Sequence, residues 1–174
     1  MIFYTADLHL WHSNIIKYSN RPFSSTDEMH ETIIANWNGV VGNADTVYIL
    51  GDVGFTNAST WGTVLNKLNG EKHLILGNHD HKRIKTTNLS QYFKSVNNYL
   101  EIKDNGRLVI LFHYPILEWD GFFRGAYHIY GHIHNNENKT KDILRTLDRA
   151  YNAGIDVNGY TPKTLDQLIE LNSK

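Results

Sequence analysis

Apolar residues in this chain come in short bursts, each stopped by a small polar cluster. IFYTA (2–6) runs into Asp7-Leu8-His9 and TVYIL (46–50) into Gly51-Asp52. HLIL (73–76) runs into Gly77-Asn78-His79-Asp80, LVILF (108–112) into His113, and AYHIY (126–130) into Gly131-His132-Ile133-His134. Runs this short, rich in β-branched and aromatic residues, predict strands rather than helices. Because they are continuously apolar and do not alternate, they predict strands buried on both faces, as in an α/β sheet. Ligands bind such sheets beyond the carboxyl ends of the strands. The five polar clusters are therefore expected to converge at one edge.

Helical spacing fills the gaps. Ser25-Thr26-Asp27-Glu28 has the form of a capping box, followed by Met29, Ile33, Ile34 and Trp37 on one face. A second helix is expected over 57–69, with Trp61, Val64, Leu65 and Leu68 facing inward and Gly70 at its end. A third follows Pro162, capped by Thr164 and Gln167. Residues 94–103 read as one strand, paired with 107–112 across an Asn105-Gly106 turn suited to a hairpin. Residues 150–157 read as one or two more strands, and 135–142 (NNENKTKD) as a solvated loop. The pattern shows no repeat and no linker, so 1–174 reads as a single α/β domain.

Composition narrows the classes. A net charge of −1 gives no broad basic field for holding nucleic acid. The absence of Cys removes disulfides, thiolate nucleophiles and thiolate zinc sites. No apolar stretch approaches the roughly 18 residues that would span a membrane, and the first residues do not read as a signal peptide. A cytoplasmic enzyme is the expectation. The ten histidines are the unusual feature. His30, His73 and His128 fall inside strand or helix patterns and His81 at the end of a loop, so these read as structural or exposed; the rest cluster at the strand ends.

Asp7, His9, Asp52, Asn78, His113, His132 and His134 are ligand types in excess of what one tetrahedral zinc takes. They suit two divalent ions sharing a carboxylate. Mixed imidazole and oxygen donors point to a transition metal, manganese first, with iron, zinc, cobalt or nickel as alternatives. Two ions about 3.5–4 Å apart acidify the water between them and clamp the oxygens of an in-line displacement at phosphorus. His79, next to the ligand Asn78, is placed to protonate the leaving oxygen, with Asp80 expected to orient its imidazole.

Asp7-x-His9, Gly51-Asp52, Gly77-Asn78-His79-Asp80, His113 and Gly131-His132-x-His134 resemble, in order and rough spacing, the motifs of the calcineurin-like metallophosphoesterases. The stretch from Asp7 to Phe23 looks like that of small bacterial and phage-type members. The resemblance implies a four-layer α/β/β/α sandwich. It also implies one metal on Asp7, His9 and His134, a second on Asn78, His113 and His132, and Asp52 as the bridge. The Gly51-Asp52-Val53-Gly54-Phe55 stretch departs from the protein-phosphatase branch, whose arginine grips phosphate. A small phosphodiester, nucleotide-type, is therefore the expected substrate, with a phosphomonoesterase, a nuclease or a non-catalytic metal-binding scaffold as alternatives.

Outside these motifs, His12, Arg21 and Arg124 are candidate substrate contacts, each with a structural or surface role as the alternative. The aromatic stretch 114–127 (Tyr114, Trp119, Phe122, Phe123, Tyr127) is expected to stack a base, to form a dimer contact or to be core.

Overall fold

The computed structural model describes residues 1–85 and 87–172. Strands β1 (Ile2–Thr5), β2 (Thr46–Leu50), β3 (Glu71–Ile75) and β4 (Ser95–Asn97) pair in parallel, in that order. A second sheet has the order β5 (Tyr99–Asp104), β6 (Arg107–Phe112), β7 (Tyr127–Tyr130) and β8 (Ala150–Asn152); β5 and β6 are antiparallel and the remaining pairs parallel. Helices α1 (Ser13–Tyr18), α2 (Thr26–Val40) and α3 (Gly62–Leu65) are linked to the first sheet, whereas α4 (Lys139–Leu144) goes with the second.

Side-chain alternation along the strands makes three cores from two sheets. Phe3, Val47, Ile49 and Leu74 face Met29, Ile33 and Trp37 of α2. Tyr4, Tyr48, Leu50 and Ile75 face Val109, Leu111 and Ile129 of the second sheet. Ile110, Tyr130 and Ala150 point outward onto Trp119, Ile133 and Leu144. This is a four-layer α/β/β/α sandwich, its fourth layer made by α4 and the segment after His113. Burial of a Leu, Ile or Val side chain stabilises by about 1.5–3 kcal/mol, so slipping any strand by one residue would forfeit several such contributions. Helix α5 (Leu165–Leu171) inserts Leu165 and Leu168 into the middle core, tied to β1 by the Tyr4 and Lys163 backbone pair.

Several expected elements differ. Residues 94–103 are two strands: β4 joins the first sheet and β5 the second, so the chain changes sheets at Asn98. The hairpin turn has positive φ at both Asn105 (48°) and Gly106 (81°), as a two-residue turn that matches strand twist requires. The 57–69 helix contracts to Gly62–Leu65 with a 3₁₀ turn before it, because Gly62 and the flanking Thr60, Thr63 and Val64 are poor helix formers. Its apolar face is buried as expected. Only 150–152 of the 150–157 stretch is strand, and a 3₁₀ turn follows. Within 135–142, Asn138 accepts from Lys141 N–H and starts α4. The box at Ser25 is half formed: Ser25 caps Glu28 N–H, but the Glu28 carboxylate turns to Ser24. The box at Thr164 is complete.

Candidate metal centre

The two sheets are sewn together where their parallel strands end. Asp7 N–H donates to Gly51 O (3.0 Å), Gly131 N–H to His113 O (2.9 Å) and Ile155 N–H to Ala6 O (3.1 Å), the last running from one sheet to the other. Five of the seven expected ligands sit at positive φ: Asp7 (58°), His9 (49°), Asp52 (57°), His132 (71°) and His134 (51°). A non-glycine residue in that region costs on the order of 1–3 kcal/mol, and such strain concentrates at functional sites. The glycines explain how the loops come so close. Gly51 has φ of +83°, and a Cβ there would lie 2.5 Å from His113 Nδ1.

The side chains meet in a tight arrangement. Asp52 Oδ2 lies 3.6 Å from His9 Nε2 and 3.6 Å from His113 Nε2. Asn78 Oδ1 stands 3.1 Å from both His113 Nε2 and His132 Nδ1. Asp7 Oδ2 accepts from His132 N–H (2.8 Å). Asp7, His9 and His134 each bring a ligand atom within 4.8 Å of the others, as do Asp7, Asp52 and His113. Two imidazoles are held with one nitrogen free to coordinate: His113 Nδ1 donates to Leu50 O (2.7 Å) and His134 Nδ1 to Asp156 Oδ2 (2.7 Å).

Within the site, the buried Asp7 Oδ1 and His9 Nε2 have no hydrogen-bond partner among the described residues. Burial pushes the Asp7 carboxyl up to about 8, and burial together with the nearby His134 and Arg21 charges drives the His9 imidazole down. Burial also lowers His113 and His132. Burial opposes the charged form of His134 too, but its hydrogen bond to Asp156 and the charge of Asp7 leave it raised. The buried Asp7 carboxyl is pushed toward its protonated form and the His9, His113 and His132 imidazoles toward neutrality, and a bound cation would favour the deprotonated, ligating form of each. The donor set, imidazole with carboxylate and amide oxygen, fits divalent transition metals.

Other expected roles are corrected. Asp80 makes no hydrogen bond or ion pair with the His79 ring among the described residues. Its oxygens accept from the backbone N–H groups of Asp52 (2.8 Å), Val53 (3.0 Å) and Gly77 (2.8 Å), so it clamps two ligand loops from beneath. Burial raises its pKa to about 7 against those three bonds. Arg21 is not open to substrate: it is buried, paired with Asp156 (2.8 Å), and donates to the carbonyls of Leu8 (2.9 Å) and Asp7 (2.8 Å). Arg124 is exposed, pairs with Asp120, and lines a separate hollow with Trp119 and Phe123. Trp119 is core, its indole N–H donating to Ala126 O. His12 does lie at the site, lining a cleft with His9, His79 and His134.

Asp156 is the residue that sequence reasoning missed. A signal was there: Gly154-Ile155-Asp156 follows the 150–152 strand, a glycine and a carboxylate past a strand end as in Gly51-Asp52.

No protein-family model matches the chain. It is 35% identical over 179 residues to the uncharacterized protein MJ1445 of Methanocaldococcus jannaschii, covering 99% of this chain and 92% of that protein. The gene 66 protein of Mycobacterium phage D29 is 30% identical over 185 residues, covering 89% of this chain and 87% of the phage protein. Among solved structures, the protein of unknown function AQ665 from Aquifex aeolicus superposes with a TM-score of 0.76 at 26% identity, over 98% of each chain. The chain belongs to one family with MJ1445 and the D29 gene 66 protein, and it carries D-x-H, G-D, G-N-H-D and G-H-x-H at the carboxyl edge of its paired sheets, the motifs by which it resembles the calcineurin-like metallophosphoesterases.

Proposed function

We propose that this protein is a divalent-metal-dependent phosphohydrolase acting on small phosphodiesters. The observation that carries the reading is the Asp52 carboxylate, whose Oδ2 stands 3.6 Å from an imidazole nitrogen on each side, His9 and His113. Asp7, His9 and His134 would hold one ion, Asn78, His113 and His132 the other, with Asp52 shared. Such ions, when bound, supply Lewis acidity to phosphoryl oxygens and acidify water near neutral pH. The chain's own residues do the rest. Asp80 fixes the loops of Asp52 and Gly77 relative to each other. Asp52 Oδ1 accepts the His79 backbone N–H (2.9 Å), which seats the His79 ring at the rim, 41% exposed, with Nε2 4.0 Å from Asp52 Oδ2. From there the imidazole delivers a proton to the departing ester oxygen.

Diesters are favoured over monoesters by charge. A monoester dianion needs an additional cation to grip it, and no Lys or Arg lines the cleft among the described residues.

The test is His79→Ala in protein loaded with manganese, iron, zinc, cobalt or nickel. It should retain metal and lose roughly 10²–10⁴-fold in rate on alkyl diesters. The loss should be smaller for nitrophenyl esters, whose leaving group needs little protonation. Equal losses on both would remove His79 as the acid. A wild-type protein that binds metal but turns over no ester with any ion would point to a non-catalytic scaffold.

A further inference from the structure

The second sheet ends in an open strand. β5 forms one edge of the order β5-β6-β7-β8, and β6 is its one strand partner among the described residues. Asp104 and Arg107 close the two-residue turn at Asn105-Gly106, and such a closing pair exchanges both its backbone hydrogen bonds. Bonding alternates from there along the ladder. Asp104, Ile102 and Leu100 bond across to β6, while Lys103, Glu101 and Tyr99 turn their N–H and C=O groups to the open edge. No backbone group elsewhere among the described residues takes these up.

The side chains of that edge carry a pattern. Tyr99, Glu101 and Lys103 are exposed on the outer face of the sheet, whereas Leu100 and Ile102 pack into the middle core. Charged residues on an edge strand ordinarily keep other chains away. Here the two charges are opposite in sign and two positions apart, so they can match a copy of themselves. Lys103 makes no ion pair among the described residues, and the Glu101 carboxylate accepts from the Tyr99 hydroxyl (2.8 Å).

We propose that a second copy of this chain pairs antiparallel with β5 about a twofold axis at Ile102. Glu101 then lies directly opposite Lys103 of the second copy, and Lys103 opposite its Glu101. These residues face the edge with their backbone groups, so each pair also exchanges two backbone hydrogen bonds. Opposite charges directly across an antiparallel pair attract and like charges repel, which fixes the register. An axis at Glu101 would set the two Glu101 carboxylates against each other, and an axis at Lys103 the two ammonium groups. An axis between residues would oppose edge-facing groups to groups already bonded to β6. The pairing joins two four-stranded sheets into one of eight, and an isologous contact closes with two copies. It also sets Tyr99 opposite Asn105 of the second copy. The tip of that hairpin thereby meets the hollow of about 530 Å³ lined by Tyr99, Trp119 and Phe123, where Phe123 is 85% exposed. The tip is uncovered: a Cβ at Gly106 would meet nothing within 4 Å. None of this rests on the hydrolase reading.

Sedimentation equilibrium over a range of concentrations tests the pairing. The wild type should approach the mass of two chains. Lys103→Glu and Glu101→Lys each turn two attractions into two repulsions, and each should weaken self-association by roughly 10- to 100-fold. Both positions are exposed, so circular dichroism should show an unchanged fold. Mixed in equal amounts, the two single variants should regain the dimer, because every charge then faces its opposite. The chain carrying both substitutions should dimerise with itself for the same reason. A wild type that stays monomeric at its highest soluble concentration overturns the proposal. A dimer that both single variants leave intact also overturns it, since the contact then lies elsewhere. So does a mixture of the two variants that stays monomeric.

Discussion

At the scale of single residues, the site depends on side chains that will not touch substrate. The Asp156 carboxylate accepts from His134 Nδ1 (2.7 Å) and from the Arg21 guanidinium (2.8 and 3.2 Å). Arg21 in turn donates to the backbone carbonyls of Asp7 and Leu8. One buried ion pair thus positions a ligand from each sheet. Removing Arg21 outright would strand a buried carboxylate, at roughly 3–5 kcal/mol, and would confuse stability with function. Asp156→Asn keeps the volume and one acceptor oxygen. Second-layer partners of this type are typically worth about 10–100-fold in metal affinity. Asp156→Asn should lose affinity in that range at the His134 position while remaining folded, as read by competition with a chelator. Unchanged affinity would make the Asp156 contact to His134 incidental.

At the scale of elements, parallel strands deliver their ends to one edge, and the loops beyond them pack without slack. Gly77 shows how little room remains: a Cβ there would sit 2.2 Å from Asp52 Oδ1 and 2.6 Å from Asp52 N. The obstruction is one rigid loop against another, held by Asp80, so neither can yield cheaply. Gly77→Ala should displace the Asp52 carboxylate and reduce metal content at both positions, measured by elemental analysis of purified protein. It should also lower the melting temperature of the metal-free protein, because the clash does not depend on metal. A fully loaded, unshifted Gly77→Ala variant would show that the loop relaxes more freely than its contacts imply.

For the whole molecule, the candidate metal centre lies where two sheets that share the middle core meet at their strand ends. The expected ligands from the first sheet (Asp7, His9, Asp52, Asn78) and the second (His113, His132, His134) are brought together only in the folded state, so metal bound to them should stabilise the fold. One site at a hundred times its dissociation constant contributes about 2.7 kcal/mol. For a chain of 174 residues that is a rise in melting temperature of about 5–10 °C per site. Calorimetry with and without manganese should show the rise, and a chelator should reverse it. Asp52→Asn, which removes the shared charge, should flatten most of it. A melting temperature indifferent to metal in the wild type would argue that the residues do not form a metal centre at all.

The sequence by itself determined where the strands end and what chemistry they carry there. Those features are local: a buried strand needs a continuous apolar run, and a tight exit needs glycine before the carboxylate or amide. The same locality made the Asn105-Gly106 turn and the Thr164 cap legible. Asp156, just past the 150–152 strand and its Gly154, lies within reach of the same local signal. What lay beyond sequence was decided by partners distant along the chain. Residues 94–103 read as one strand, and only the geometry of two sheets divides them at Asn98. Arg21 and Arg124 look alike as candidate phosphate contacts; burial against Asp156, 135 positions away, makes one a brace, and the hollow beside Trp119 takes the other away from the site. Asp80 reads as a partner for the imidazole next to it, yet three backbone N–H groups from two loops claim both its oxygens. Trp119 reads as a candidate stacking ring, yet the outer face of the second sheet takes it as cover. Tertiary packing decided which polar and aromatic side chains were left over for chemistry, since a buried donor, acceptor or ring must first be satisfied by the fold.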